Sequence, residues 1–270
     1  LYAFLASVLP VWVLLQPRDF LTSSLLYVGV GGMLLGIIIA SGLTLFGGGF
    51  SVTQGGTTYT ALETSLPAFK GLTSSLGPIF PFLFVTIACG TISGFHALVS
   101  SGTTAKQLDN ESDARDIGYG AMLGEGLLAT TAVGAFAVIG FTNFPSGAAG
   151  ALANFPAGGA AMLSMFGLPV AAGSAFIVLV FVSFLLTSTD TAVRLGRYMM
   201  EEIVGTPETS LQRTGTNRYV NAGVQCLPAY LLVGSGTWAS LWPLFGGANQ
   251  TLAALALLAA TLWLANWDDS

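Results

Sequence analysis

The sequence predicts an all-α fold: a polytopic transmembrane helical bundle of about seven spans, with residues 1–270 forming a single transmembrane domain. Three observations carry this expectation. Of the 270 residues, 53% are hydrophobic and only 8% are charged, and the mean hydropathy is +0.75. A soluble globular chain carries about 25% charged residues, so water cannot wet this surface all round. The apolar residues fall in long uncharged runs, and the few charges cluster in the segments between them. The net charge of −5 comes with no basic cluster, which excludes a nucleic-acid partner, and makes the lipid bilayer the expected surrounding.

A spanning helix needs about 20 mostly apolar residues, and seven stretches meet or approach that length. Span A covers 1–16, with Pro10 as a kink. It opens inside an apolar run and lacks an Ala-x-Ala site, so it reads as a span, not a signal peptide, and further N-terminal helices of the same protein are expected before it. Span B covers 20–45, C covers 80–101, D covers 117–141, and E runs from after Pro169 to Arg194. Span F (220–233) is short and interrupted by Pro228, and G covers 241–267. Between B and C, residues 46–78 form an extracytoplasmic Gly/Thr-rich loop. The charged segment 104–116 forms a cytoplasmic loop between C and D. Between D and E, 142–168 holds Pro145 and Pro156, and its 160–166 stretch is too short to span, which fits an interfacial or re-entrant piece.

Seven of the eight basic residues fall in alternate connections: Arg18 in A–B, Lys106 and Arg115 in C–D, and Arg194, Arg197, Arg213 and Arg218 in E–F. The other connections hold only Lys70. Cytoplasmic loops carry the excess of Lys and Arg. The chain therefore enters from outside at Leu1 and ends in the cytoplasm. The pairs Gly32/Gly36 and Gly120/Gly124 have the spacing that lets helix backbones approach in lipid.

Span C is the most informative. Thr86, Cys89, Ser93, His96 and Ser100 follow at intervals of three and four, one face of a continuous helix, with Gly90, Gly94 and Ala97 beside them. His96 is the sole histidine. Polar groups at membrane depth need partners or a wet cavity, so the stripe is either a packing face or part of a substrate or proton path. The string Ser100-Ser101-Gly102-Thr103-Thr104 continues a helix poorly. Unwound backbone and hydroxyls there supply the material of ion and substrate sites, or else a plain hydroxyl-rich helix end. Glu125 is the sole carboxylate inside span D, at a depth comparable with His96 on the antiparallel neighbour. The two form a candidate proton relay, with an isolated Glu125 bonded to backbone or hydroxyls as the alternative. Asp190 precedes Arg194 by four residues, the favourable order for a structural ion pair on a helix. Asn249 and Gln250 put two side-chain amides near the start of span G, for substrate or for a neighbouring helix. Cys89 and Cys226 read as small buried hydrophobes; no metal, cofactor or catalytic residue is expected.

Several strings carry a resemblance. They are Pro10-Val11-Trp12-Val13-Leu14-Leu15-Gln16-Pro17-Arg18-Asp19; Pro78-Ile79-Phe80-Pro81-Phe82-Leu83-Phe84 on to Ser93-Gly94-Phe95-His96-Ala97-Leu98; and Ser100-Ser101-Gly102-Thr103-Thr104. They continue with Ile117-Gly118-Tyr119-Gly120-Ala121-Met122-Leu123; Asp190-Thr191-Ala192 with Arg194 and Arg197; and Leu241-Trp242-Pro243-Leu244-Phe245-Gly246 through Ala248-Asn249-Gln250. Spread over nearly the whole chain, they resemble the carbon starvation protein A (CstA) family of membrane transporters. The resemblance implies a multi-pass protein of the cytoplasmic (inner) membrane that imports small peptides or pyruvate during carbon starvation, coupled to protons in some members. It also implies a relation to amino acid–polyamine–organocation transporters of LeuT-like architecture. On that reading Ser93, His96, Ser100, Ser101, Thr103, Thr104, Glu125, Asn249 and Gln250 are the candidate substrate or coupling residues. A structural or regulatory membrane subunit is the competing expectation. An intramembrane hydrolase using Ser93 and His96 is a weaker one, because no carboxylate stands where it would orient the base.

Overall fold

The computed structural model describes residues 1–54, 56–60, 66–74, 77–87, 90, 92–139 and 147–267. Helices dominate: α1 (Tyr2–Val8), α2 (Val11–Leu45), α3 (Ile79–Ile87), α4 (Gly94–Val99), α5 (Asp113–Ile139), α6 (Gly147–Leu163), α7 (Val170–Val204), α8 (Ser210–Gly215), α9 (Arg218–Ser235) and α10 (Trp238–Trp267). Two small antiparallel hairpins, β1 (Ser51–Gln54) with β2 (Thr57–Thr60) and β3 (Thr73–Ser74) with β4 (Gly77–Pro78), lie between α2 and α3. Among the described residues, four helices are long and apolar enough to cross a membrane: Val11–Leu45, Asp113–Ile139, Val170–Val204 and Ser240–Trp267. The chain is nearly all-α, as expected, and is a multi-pass membrane protein.

Several boundaries differ from expectation. Spans A and B do not part at Arg18. The chain breaks at Pro10, the extended residue before α2 (ψ 146°), and α2 then runs for 35 residues straight through Pro17 and Arg18. Proline is tolerated inside membrane helices, where neighbours satisfy the freed carbonyl. At about 1.5 Å per residue α2 measures about 52 Å, well over the ~30 Å hydrocarbon core. The same holds for α7, whose 35 residues carry Arg194 and Arg197 inside a helix and not in a connection. It ends only at Gly205, which takes the left-handed conformation (φ 66°) that glycine adopts freely. The 142–168 segment supplies a 17-residue helix, α6, with Pro156 inside it, followed by a turn at Ser164–Phe166.

The chain forms two compact units. Unit 1 comprises Leu1–Val8, Lys70–Gly118 and Asp190–Ser270; unit 2 comprises Leu9–Phe69 and Tyr119–Thr189.

Unit 2 packs α2, α5, α6 and the first part of α7 around Met33, Ala135, Met162, Leu163 and Ile177. Glycine makes the approach possible. A Cβ on Gly36 would stand 2.2 Å from the Met162 carbonyl oxygen, and one on Gly32 would stand 3.0 Å from the Leu163 side chain. The Gly32/Gly36 pair is thus a close helix contact, as its spacing predicts. A Cβ on Gly120 or Gly124 would meet nothing within 4 Å. The β1–β2 hairpin caps this unit by burying Tyr59 against Ile139, Ala157 and Ala161. Replacing Tyr59 with alanine should cost roughly 3 kcal/mol locally, by the scale of aromatic truncations in cores. The expected outcome is faster protease cleavage at 51–60 in the purified protein, with the helical content unchanged.

In unit 1, α1 lies on α9, with Phe4 and Val8 meeting Ala222, Cys226 and Val193. Both α3 and α4 pack on α10.

Candidate functional site

The stripe of span C assumed an unbroken helix, and that assumption fails at Ser93. Ser93 is extended (φ −113°, ψ 127°) and caps α4: its Oγ accepts from the His96 backbone N–H at 3.3 Å. Glycine and a serine cap are what the local sequence offers for such a stop and restart. Thr86 therefore belongs to the helix before the interruption, and His96 and Ser100 to the helical run after it. Cys89 lies outside the described residues.

The restarted helix does not unwind at Ser100. It continues as a π turn over Ser100–Thr104 and a 3₁₀ turn over Ala105–Gln107. The hydroxyls return to nearby carbonyls: Ser100 and Ser101 Oγ each donate to Ala97 O at 2.9 Å, and Thr103 Oγ1 donates to Val99 O at 2.8 Å. Back-bonding of this kind widens a helix without ending it. Gly102 lets α7 close in, since a Cβ there would stand 2.5 Å from the Leu195 side chain. Lys106 Nζ lies 5.9 Å from the centre of the Tyr198 ring.

Opposite the interruption stands α10. Gly246 abuts Val85 of α3: a Cβ would lie 2.7 Å from the Val85 carbonyl oxygen. Two turns on, Leu252 and Ala253 press on Gly94 of α4 (2.5 Å and 2.8 Å to a Cβ there). Between these two contacts lies Asn249, only 5% exposed. Its Oδ1 accepts from the Phe95 N–H at 2.8 Å and from Ser93 Oγ at 3.2 Å. The structure thus brings Ser93, the start of α4 and Asn249 together, with Gln250 half-buried beside them. The His96 side chain is exposed on unit 1. Glu125 is exposed on α5 and belongs to unit 2, so the two members of the expected relay sit on different units.

A second polar cluster, in unit 1, gathers the expected ion-pair residues Asp190 and Arg194 with Arg197, which the sequence offers only as a topology marker. Asp190 is fully buried, and Arg194 and Arg197 are 4% and 7% exposed. Arg194 Nη2 donates to the Ala6 carbonyl at 2.7 Å, and Arg197 Nη1 donates to that of Ser7. These are last-turn carbonyls of α1, which have no partner inside their own helix. Asn221 of α9 donates to the Arg197 carbonyl at 3.3 Å, and Gln225 donates to Asn221 Oδ1 at 2.8 Å. Asn221 and Gln225, four apart in a mostly apolar helix, were a legible but unused signal. Arg194 thus serves the end of α1 as well as standing one turn from Asp190.

Unit 2 contains an apolar cavity of about 360 Å³ among α2, α5, α6 and α7, lined by Met33, Leu128, Phe136, Phe155 and Phe181, with Ser188 at its polar margin. A carboxylate entering it would give up hydration for almost no hydrogen bonds.

The family described as Carbon starvation protein CstA matches residues 1–149 and 142–269. The chain is 32% identical over 323 residues to "Peptide transporter CstA" of Helicobacter pylori, covering 97% of this chain and 44% of that protein. It is 32% identical over 344 residues to "Pyruvate/proton symporter BtsT" of Escherichia coli, covering 97% and 45%. A third relative, "Peptide transporter CstA" of Bacillus subtilis, is 31% identical over 293 residues, covering 95% and 46%. The chain therefore spans less than half the length of these relatives, each of which bears a transporter's name and not an enzyme's. No solved structure matches it with significance. With the family's pattern running from its first residue to 269, this chain belongs to the carbon starvation protein CstA family.

Proposed function

We propose that this chain is part of a secondary active transporter that imports small peptides or pyruvate across the cytoplasmic membrane, coupled to protons, in the response to carbon starvation. The observation that carries the reading is the interrupted helix 79–104 braced by α10 in a chain whose relatives are a peptide transporter and a pyruvate/proton symporter. Discontinuous helices are where transporters of known mechanism hold solutes, because interrupted backbone at membrane depth is tolerated only beside protein or a cavity.

In this reading Ser93, Asn249 and Gln250 form the solute side of the site, and His96 and Glu125 each take part in handling protons. The hydroxyls of Ser100, Ser101, Thr103 and Thr104 shape the π turn that continues α4, the helix carrying His96. Counting α9 and the α3–α4 pair with the four long helices gives six crossings among the described residues, one fewer than the expected seven. A LeuT-like arrangement and a cytoplasmic C-terminus belong to the same proposal.

The test is uptake into vesicles carrying the intact protein, with pyruvate and with a dipeptide, under an imposed inward proton gradient. The expected result is gradient-driven accumulation of one or both, falling at least tenfold in His96→Ala, the scale of losing one positioned proton carrier. Undiminished coupled uptake in that variant would remove His96 from the mechanism. Accumulation indifferent to the gradient would remove the coupling.

A further inference from the structure

We infer that the side-chain amide of Asn249 is the anchor for the carboxylate of the transported organic acid, a reading that rests on the transport function proposed above. The Phe95 backbone N–H can only donate, so the atom of Asn249 facing it at 2.8 Å must be the oxygen. That fixes the orientation of the amide and makes the other terminal atom the nitrogen. Asn249 is 5% exposed, and its Nδ2 is buried with no hydrogen-bond partner among the described residues. An unused donor in such a place gives up its hydration for nothing, and native structures keep few of them without a reason.

Its position supplies the reason. The contacts of Gly246 with Val85 and of Leu252 and Ala253 with Gly94 place Asn249 across from the interruption between α3 and α4. Ser93, the residue at that interruption, uses its hydroxyl to donate to Asn249 Oδ1 and its lone pair to cap His96. Two donors thus hold the amide oxygen, which leaves the NH₂ at the other end of the same fixed amide plane. The protein has oriented a donor and left it without an acceptor.

An NH₂ group donates and cannot ligate a cation, so the missing group is an acceptor. Pyruvate and a peptide share one strong acceptor, the carboxylate, and a hydrogen bond to an ionised acceptor is about twice as strong as one between neutral groups. In a low-dielectric setting this single contact therefore favours the acid over its uncharged amide or ester.

Asn249→Asp tests this with little change of shape. It keeps an oxygen for the Phe95 N–H and for Ser93, and replaces the donor with a second acceptor. The intact protein, purified in detergent, is titrated calorimetrically with pyruvate, with dialanine, and with pyruvamide and dialanine amide as uncharged counterparts. The expected result is wild-type binding of at least one acid and a loss on the order of tenfold or more in N249D, the scale of one charge-assisted hydrogen bond. The uncharged counterpart should lose much less. Wild-type affinity for the acid in N249D would overturn the inference while leaving transport standing. An equal loss for acid and amide would also overturn it, by showing that Asn249 only braces α4. Binding of neither acid by the wild type would remove the transport reading and this inference together. Should N249D not fold, Asn249→Ser, which keeps an acceptor for Phe95 in a smaller volume, is read against the same outcomes.

Discussion

Replacing Arg194 with methionine is expected to destabilise the protein by about 3 kcal/mol or more, seen as a large fall in the unfolding midpoint of the intact protein in detergent. Methionine roughly conserves the volume, so little of the loss would come from a cavity. What disappears is a buried charged donor to the Ala6 carbonyl, and a hydrogen bond to a charged group contributes about 1.5–3 kcal/mol. The carbonyl is left unsatisfied in a buried place, and fully buried Asp190 loses a cation one helical turn away. The effect should be large because α1 has only seven residues, and an isolated helix that short does not hold itself together. Arg194→Lys should fall between, because lysine keeps the charge but loses the planar fork. If R194M unfolds like the wild type, the guanidinium contributes packing alone.

Gly36→Val should be nearly as damaging, and Gly120→Val harmless by comparison. At Gly36 the first side-chain carbon would land 2.2 Å from a backbone oxygen of α6, and a backbone atom cannot rotate aside. Overpacking a core costs about 1–3 kcal/mol when side chains can adjust. Here α2 and α6 must separate, so the upper end of that range is expected. At Gly120 a side chain meets open space, which leaves only the modest effect of helix propensity. The two sites share one sequence pattern, so similar unfolding midpoints for the two variants would mean that the α2–α6 contact is not what holds unit 2.

The hydropathy pattern places α5 and α10 closely at both ends, because lipid imposes length and apolarity directly. It could not give the interruption at Ser93. The residues around it are apolar or small on both sides, so the run reads as one span, and the stripe of Thr86, Ser93, His96 and Ser100 depended on a helix that does not continue. A serine followed by glycine in that run was the local clue, and it competes with many similar pairs in a chain of 35 glycines. The C-terminal end of α7 differs from expectation for another reason, while its start after Pro169 agrees. Arginines were taken to mark water, whereas Arg194 and Arg197 are buried because the carbonyls of α1 receive them. Gly205 with Pro207 behind it was the better stop signal. The β1–β2 hairpin was legible in Ser51-Val52-Thr53-Gln54 and Thr57-Thr58-Tyr59-Thr60 flanking glycine, and was passed over as loop. At the site, Asn249 and Ser93 were singled out from the sequence. Their meeting was not legible, because 156 residues separate them.

That separation sets a schedule for the ribosome. The pieces α3 and α4 are too short to cross a bilayer singly, and the backbone between them cannot be left bare to lipid. Their brace, α10, is made well after them. At roughly 5–20 residues per second, the 156 residues between Ser93 and Asn249 take about 8–30 seconds to emerge. For that interval the nascent segment needs a temporary shelter, in the insertion machinery or against helices already in place. Mutations in α10 should therefore act early, as failed insertion and degradation of the newborn chain, before any defect in the finished protein can be measured.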